Sequence, residues 1–278
     1  MTTGEVLKGA HQKAGRDQNK KLELELLLSF ILQCERAFLF INHQTELSAK
    51  NLKEFRRLEK KLFAGWPLAY LTGEREFYGL PFFVNQATLI PRPESEMIVD
   101  LVKEEARRYA KATLIDIGTG SGCLIISLAA ELGNNFNYYG FDISEKALET
   151  ARKNAKRNSV RINFRQSDLL TNLPKQKGKV FLVANLPYLT KEQVKSEPSI
   201  EKEPKSALIS GADGFKDYRN LFKQIAKWDD LKDFYLIIEI DPGQTKLVKM
   251  EVKKYLSEMQ VEIIKDLRKK NRFAIIRQ

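Results

Sequence analysis

Asn185-Leu186-Pro187-Tyr188 follows the apolar run Val180-Phe181-Leu182-Val183-Ala184, which has the length and composition of a buried strand. An Asn, a Pro and an aromatic at the mouth of a strand can form a clamp for a flat, nitrogen-bearing group. The Asn side-chain oxygen accepts one N–H, a backbone carbonyl beside the proline accepts a second, and the Tyr188 ring offers a face for stacking. Such a clamp would hold an amide or aminopurine nitrogen in front of an electrophile. Taken alone, the tetrapeptide reads equally well as a strand ending in a proline turn.

A second set of residues lies upstream. Leu114-Ile115-Asp116-Ile117-Gly118-Thr119-Gly120-Ser121-Gly122 reads as a strand entering a glycine turn that opens a helix. Glycines there permit positive φ and let the backbone approach a ligand closely. Position 123 is Cys, so the dinucleotide pattern G-x-G-x-x-G is not completed. Asp142 ends the next strand, where a carboxylate can accept both hydroxyls of a ribose. Asp168 and Leu169 follow the third strand and would flank an adenine. Asp142 can also be read as a charge favouring the helix N-terminus capped by Ser144, and Asp168 as a turn carboxylate.

These residues need a scaffold that brings strand ends together. From residue 113 onward, strand patterns at Thr113–Ile117, Asn137–Asp142, Arg161–Arg165, Val180–Asn185, Tyr235–Ile240, Gln260–Lys265 and Arg272–Arg277 are expected. Helical patterns near Gly122–Leu132, Ser144–Asn158 and Phe215–Trp228 fall between them. This alternation predicts an open, mostly parallel, doubly wound α/β sheet with an antiparallel hairpin at its edge, and ligand sites at the carboxyl ends of the strands.

Residues 1 to about 72 read as helical. Leu26, Leu27, Phe30, Ile31, Cys34, Phe38 and Leu39 recur at helical spacing, and Ser48 caps a helix carrying Leu52, Phe55, Leu58, Leu62 and Phe63 on one stripe. The aromatic segment Arg75 to Val84 predicts a short hairpin. The division expected is therefore a helical domain over 1–74, a β-hairpin linker over 75–92 and a catalytic domain over 93–278. In that linker Phe77 either walls a substrate slot or packs inside the hairpin, while Arg92 and Glu94 read as an ion pair at a helix start.

The chain has 278 residues, 43% of them apolar, with 47 Lys+Arg against 36 Asp+Glu and a formal net charge of +11. Such an excess suits RNA or work near the ribosome, and equally an ordinary solvated lysine-rich surface. Two histidines, His11 and His43, both in the first fifty residues, make a Ser-His-Asp site or a His-rich metal site improbable. The two cysteines, Cys34 and Cys123, have no metal-type spacing, as in a reduced cytoplasmic protein. No signal-peptide pattern opens the sequence, and charges at Glu23, Glu25, Glu35 and Arg36 break the stretch Leu22–Ile41, so no membrane span is expected.

With these residues in place, the chain resembles class I S-adenosylmethionine-dependent methyltransferases, and more narrowly the PrmC/HemK family of peptide-chain-release-factor glutamine N5-methyltransferases. The resemblance runs through Pro67-Leu68-Ala69-Tyr70-Leu71-Thr72-Gly73-Glu74-Arg75-Glu76-Phe77-Tyr78-Gly79 and Ile90-Pro91-Arg92-Pro93-Glu94-Ser95-Glu96. It continues through the glycine loop, Glu203-Pro204-Lys205-Ser206-Ala207-Leu208 and Gly211-Ala212-Asp213-Gly214-Phe215. The resemblance implies a seven-stranded Rossmann-like methyltransferase sheet behind a small helical bundle that docks the substrate. It implies S-adenosyl-L-methionine across Gly118, Thr119, Gly120, Ser121 and Gly122, with its ribose on Asp142, its adenine near Asp168 and Leu169, and Asn185 beside it. It implies a release-factor glutamine held by Asn185, Leu186, Pro187, Tyr188 and Phe77, and no metal. The family usually has Asn-Pro-Pro-Tyr. Leu186 departs from that and is similar to the spelling of rRNA adenine dimethyltransferases, so methylation of adenine N6 in rRNA or DNA is the alternative.

Overall fold

The computed structural model describes residues 1–176, 178–228 and 233–278. The chain divides into two compact units, Met1–Gly73 and Glu74–Gln278.

The first unit is helical: α1 (Thr3–Ala14), α2 (Gln18–Leu32), α3 (Arg36–Ile41), α4 (Ala49–Phe63) and α5 (Leu68–Thr72). Its core gathers Val6, Leu7, Leu24, Leu27, Leu28, Leu39, Phe55, Leu58 and Leu62. Ser48 caps α4 as expected, accepting from the Asn51 N–H at 3.1 Å. The stripe expected from Leu26 to Leu39 is only partly the buried one. Gln33 adopts φ 53° and ends α2, and Leu26, Phe30 and Phe38 stay exposed, as does Phe63 at the end of α4. The cause lies in α2 itself, which is apolar on more than one face, so spacing alone leaves the phase of its buried stripe open.

The second unit begins with the hairpin β1 (Glu74–Phe77) and β2 (Leu80–Phe83). Tyr78 at φ 54° and Gly79 at φ 70° turn it tightly, with the two left-handed residues that a two-residue connection between twisted strands requires. Residues 75–92, read from the sequence as a linker, pack within this unit, since Phe77 and Phe82 are buried in one of its two cores.

The rest alternates as the sequence pattern predicts: α6 (Glu96–Ala106), β3 (Thr113–Ile117), α7 (Cys123–Leu132), β4 (Asn137–Asp142), α8 (Glu145–Arg157), β5 (Asn163–Gln166), β6 (Val180–Ala184), α9 (Lys191–Ser196), α10 (Lys216–Ala226), β7 (Phe234–Glu239), α11 (Thr245–Tyr255), β8 (Gln260–Lys265) and β9 (Asn271–Arg277). The sheet runs β5-β4-β3-β6-β7-β9-β8, parallel through β7, with β9 and β8 antiparallel at the edge. Leu114 and Val183 face the core under α6 and α7, while Ile115, Leu182 and Ile238 face the core under α10 and α11. Both faces are covered, which explains why the central strands are continuous apolar runs.

From β3 the chain winds outward through β4 and β5, then crosses back to β6 and continues the other way. That reversal leaves a crevice outside the carboxyl ends of the strands flanking β3. The spacing assigned no element to 241–259, where the structure has α11. Asp241 caps the turn into it, and Val248 and Val252 are its buried apolar residues. Among the described residues no helix is long and apolar enough to cross a membrane.

Candidate active site

A cavity of about 420 Å³ fills the crevice. Of the residues singled out from the sequence, Gly118, Thr119, Gly120, Ser121, Asp142, Asp168, Leu169, Asn185, Leu186 and Pro187 border it. Gly122 stands behind this wall at the start of α7. Tyr188 and Phe77 also lie outside the wall.

Each strand end supplies one part of the wall. After β3, Gly118 turns with φ 72°, and a Cβ built on it would fall 2.7 Å from Leu186 Cδ2. A side chain at 118 would have to displace the end of the Leu186 side chain, and the positive φ there adds its own demand for glycine. After β4, Asp142 bridges the loops: its Oδ2 accepts from the Gly120 N–H at 2.8 Å and its Oδ1 from the Ser144 N–H at 2.8 Å. Each oxygen keeps a further lone pair for a ligand hydroxyl. Burial pushes the Asp142 carboxyl above its ordinary value, partly offset by those N–H groups. After β5, Leu169 takes φ 54°, a left-handed conformation costly for a branched side chain, at the point where it borders the cavity.

Asp116, within β3, did not stand out in the sequence as more than part of the strand. It is 1% exposed, and its Oδ2 accepts from the Thr119 hydroxyl at 2.7 Å. Its Oδ1 is buried without a partner at the cavity wall, and burial lifts its carboxyl to about 7. A buried unpaired carboxylate oxygen is costly unless a cation or donor meets it.

The clamp is organised from behind by Glu239, at the end of β7. In the register of β6 and β7, Ala184 lies opposite Ile238, so the next residues, Asn185 and Glu239, project side by side on the same face. Glu239 is 2% exposed. Its Oε2 accepts from the Ser95 hydroxyl at 2.5 Å and from Asn185 Nδ2 at 3.1 Å, and its Oε1 accepts from the Tyr188 hydroxyl at 2.9 Å. Asn185 Nδ2 also donates to Ser95 Oγ at 3.1 Å. Sequence reasoning missed Glu239, although a carboxylate inside the run Ile237-Ile238-Glu239-Ile240 was a signal: a charge in an apolar strand needs partners. Burial pushes Tyr188 well above its ordinary value, so it stays a neutral donor.

Two aromatic residues singled out from the sequence are placed here. The half-buried Tyr188 ring packs against the core and its hydroxyl is turned to Glu239, a tie the sequence did not indicate. Phe77 is 1% exposed and meets Phe82 edge-to-face at 6.2 Å, so of its two readings the packing aromatic is the one observed. Its side chain faces inward because the hairpin has only this face to bury.

The linker motifs acquire partners. Arg92 pairs with the buried Glu203 at 2.5 Å, and Glu94 approaches Arg268 at 3.8 Å, so the expected Arg92–Glu94 pair is replaced by two separate ones. Glu203 also accepts from the Ile90 N–H at 3.1 Å. The segments Ile90-Pro91-Arg92 and Glu203-Pro204-Lys205 thus clasp each other at the rim. Gln244 Nε2 donates to the carbonyls of Tyr188 at 3.0 Å and Gly214 at 3.1 Å. A Cβ at Gly214 would sit 2.4 Å from the Tyr188 carbonyl oxygen, so this close approach demands glycine.

Residues 109–232 match a model described as a methyltransferase domain, and residues 5–73 match the PrmC N-terminal domain. A release factor glutamine methyltransferase of Bacillus cereus is 34% identical over 99% of this chain and 98% of its own length. The same-named protein of Bacillus subtilis is 34% identical over 98% of this chain and 96% of its own. Among solved structures, the hMettl16 catalytic domain in complex with MAT2A 3′UTR hairpin 1 has TM-score 0.59 at 15% identity, covering 90% of each chain, a likeness of fold. The strand-end cavity, the glycine loop and the full-length identity agree: this chain belongs to the release factor glutamine methyltransferase family.

Proposed function

We propose that the protein transfers a methyl group from S-adenosyl-L-methionine to the side-chain amide nitrogen of the glutamine in the Gly-Gly-Gln motif of peptide chain release factors. The observation that carries this reading is the orientation of Asn185. Its amide nitrogen is engaged by Ser95 and the buried Glu239, which leaves Oδ1 as the unengaged acceptor half of a residue that borders the cavity.

The cavity residues fit the methyl donor. The unpartnered Asp116 Oδ1 suits the ammonium of its methionine portion, the doubly tied Asp142 carboxylate suits a ribose diol, and Asp168 with Leu169 suit the base. When bound, that group supplies an electrophilic methyl carbon on a positively charged sulfur.

The protein's task is to present the nucleophile. A carboxamide nitrogen is weak because its lone pair is delocalised into the carbonyl. Asn185 Oδ1 and the backbone carbonyl of Leu186 each accept one of its two N–H groups, which fixes its direction and favours the positive charge that develops on nitrogen. Such orientation supplies on the order of 7–11 kcal/mol of barrier reduction. The methylated nitrogen is acidic and releases its proton late, to solvent water, so Asn185 need not act as a base. Leu186 serves as well as proline, because the accepting oxygen belongs to the main chain. Pro187 holds the following backbone at a fixed φ.

Residues 1–74 are the docking domain in this reading, 75–92 join it to the catalytic domain at 93–278, and the net charge of +11 suits substrate capture near ribosomal RNA in the cytoplasm. Incubation of the protein with methyl-labelled S-adenosylmethionine and either full-length release factor or rRNA tests it. Label in the release factor is expected, and label in RNA alone overturns it.

A further inference from the structure

The Asn185 clamp works in only one of two orientations, which have nearly the same shape. Rotating the side-chain amide by half a turn exchanges Oδ1 for Nδ2 and would offer a donor to a donor. Asn185 carries no internal bias between the two, so the bias must come from its neighbours.

We propose that Glu239 is the positioning residue for the methyl-transfer reaction: its buried carboxylate selects the Asn185 orientation that presents oxygen to the acceptor nitrogen. This rests on the glutamine methylation proposed above.

An ionised carboxylate has no proton to donate. Asn185 can therefore meet Glu239 Oε2 at 3.1 Å only through Nδ2, and the same nitrogen reaches Ser95 Oγ at 3.1 Å. Ser95 spends its proton on Glu239 Oε2 at 2.5 Å, so its oxygen is an acceptor on the Asn185 side. Tyr188 donates to Oε1 at 2.9 Å, which holds the carboxylate so that Oε2 is the oxygen turned to Asn185. The groups facing this carboxylate are thus Ser95 and Glu94 ahead of α6, Asn185 and Tyr188 after β6, and Arg272 on β9. Tyr218 of α10 meets the Glu239 main-chain oxygen. Burial pushes the Glu239 carboxyl above its ordinary value, with Glu94 adding to this, while the hydrogen bonds donated by Ser95 and Tyr188 and the Arg272 charge offset part of the rise. A neutral side chain at 239 would remove the selection, since an amide or a protonated carboxyl can donate to Asn185 Oδ1 and hold it turned away.

The test is single-turnover methylation of full-length release factor by wild type, Glu239→Gln, Asn185→Ala and the double variant. Glu239→Gln is expected to transfer methyl about 10- to 100-fold more slowly, with cofactor Kd within about twofold of wild type. In the Asn185→Ala background it should have no further effect, because it acts through Asn185. The wild-type rate should fall as pH is lowered through the Glu239 titration, and Glu239→Gln should lose that dependence. A Glu239→Gln rate equal to wild type, or full additivity with Asn185→Ala, overturns the proposal. Should Glu239→Gln fail to fold, Ser95→Ala carries the same test, with a slower rate at unchanged cofactor Kd expected and a wild-type rate overturning it. Wild type that methylates no glutamine sinks the functional reading instead, so the two failures are distinguishable.

Discussion

The Leu186 main-chain N–H donates to the Tyr218 hydroxyl at 3.1 Å, and that hydroxyl donates onward to the Glu239 carbonyl at 2.5 Å. A proline at position 186 could not make the first bond. Leu186 is thereby tethered to α10. Tyr218→Phe is therefore expected to cost about 1–3 kcal/mol, because it strands a buried N–H and a carbonyl. Leu186→Pro should be less damaging in the Tyr218→Phe background than in wild type, as that N–H is already unpaired there. Denaturant unfolding of the four proteins of this cycle measures the coupling, and strict additivity would contradict the tether.

Asn185→Ala removes an acceptor from the reacting nitrogen without touching the glycine loop. The methylation rate should fall about 100-fold or more. Cofactor affinity, measured by calorimetry, should stay within about threefold, since Asp116 and Asp142 are unaltered.

Asp142→Ala acts in the opposite sense. It deletes the carboxylate that ties Gly120 to Ser144 and that would bind the ribose hydroxyls. Hydrogen bonds to charged groups contribute about 1.5–3 kcal/mol, so cofactor Kd should rise at least about tenfold. An unchanged Kd would remove Asp142 from the cofactor site.

Asp116 makes cofactor binding depend on pH. Burial lifts its carboxyl to about 7, whereas a bound ammonium requires the ionised form. Binding should thus release a proton, and affinity should rise as pH climbs through about 7 and level off above it. Calorimetry in buffers of different ionisation enthalpy reads the proton directly. Asp116→Asn should flatten the profile, and a pH-independent wild-type affinity would contradict the assignment.

Much of this was legible in the residues. The central strands announced themselves because a sheet covered on both faces needs continuous apolar runs, and the glycine loop, Asp142 and Asn185 stand at their carboxyl ends. What spacing did not reveal was dependence on distant neighbours. Glu239 lies 54 residues from Asn185 in sequence, and only the β6–β7 register makes them adjacent. Arg92 found Glu203 in place of the nearby Glu94 for the same reason. In α2 the apolar residues are too many to define one face, so Leu26 and Phe30 share the helical spacing of the buried residues although they are exposed. The tie of the Tyr188 hydroxyl to Glu239 was hidden too, since a phenol's hydrogen-bond partner is set by the fold and not by the motif.

The central claim, that Asn185 and the Leu186 carbonyl present a protein glutamine for methylation, is tested most directly by mass spectrometry. Full-length release factor would be incubated with S-adenosylmethionine and either wild type or Asn185→Ala. The expected result is one added methyl on the Gly-Gly-Gln glutamine with wild type, and its near absence with Asn185→Ala over the same time. An unmodified glutamine with the wild-type enzyme, or equal methylation by both proteins, would contradict it.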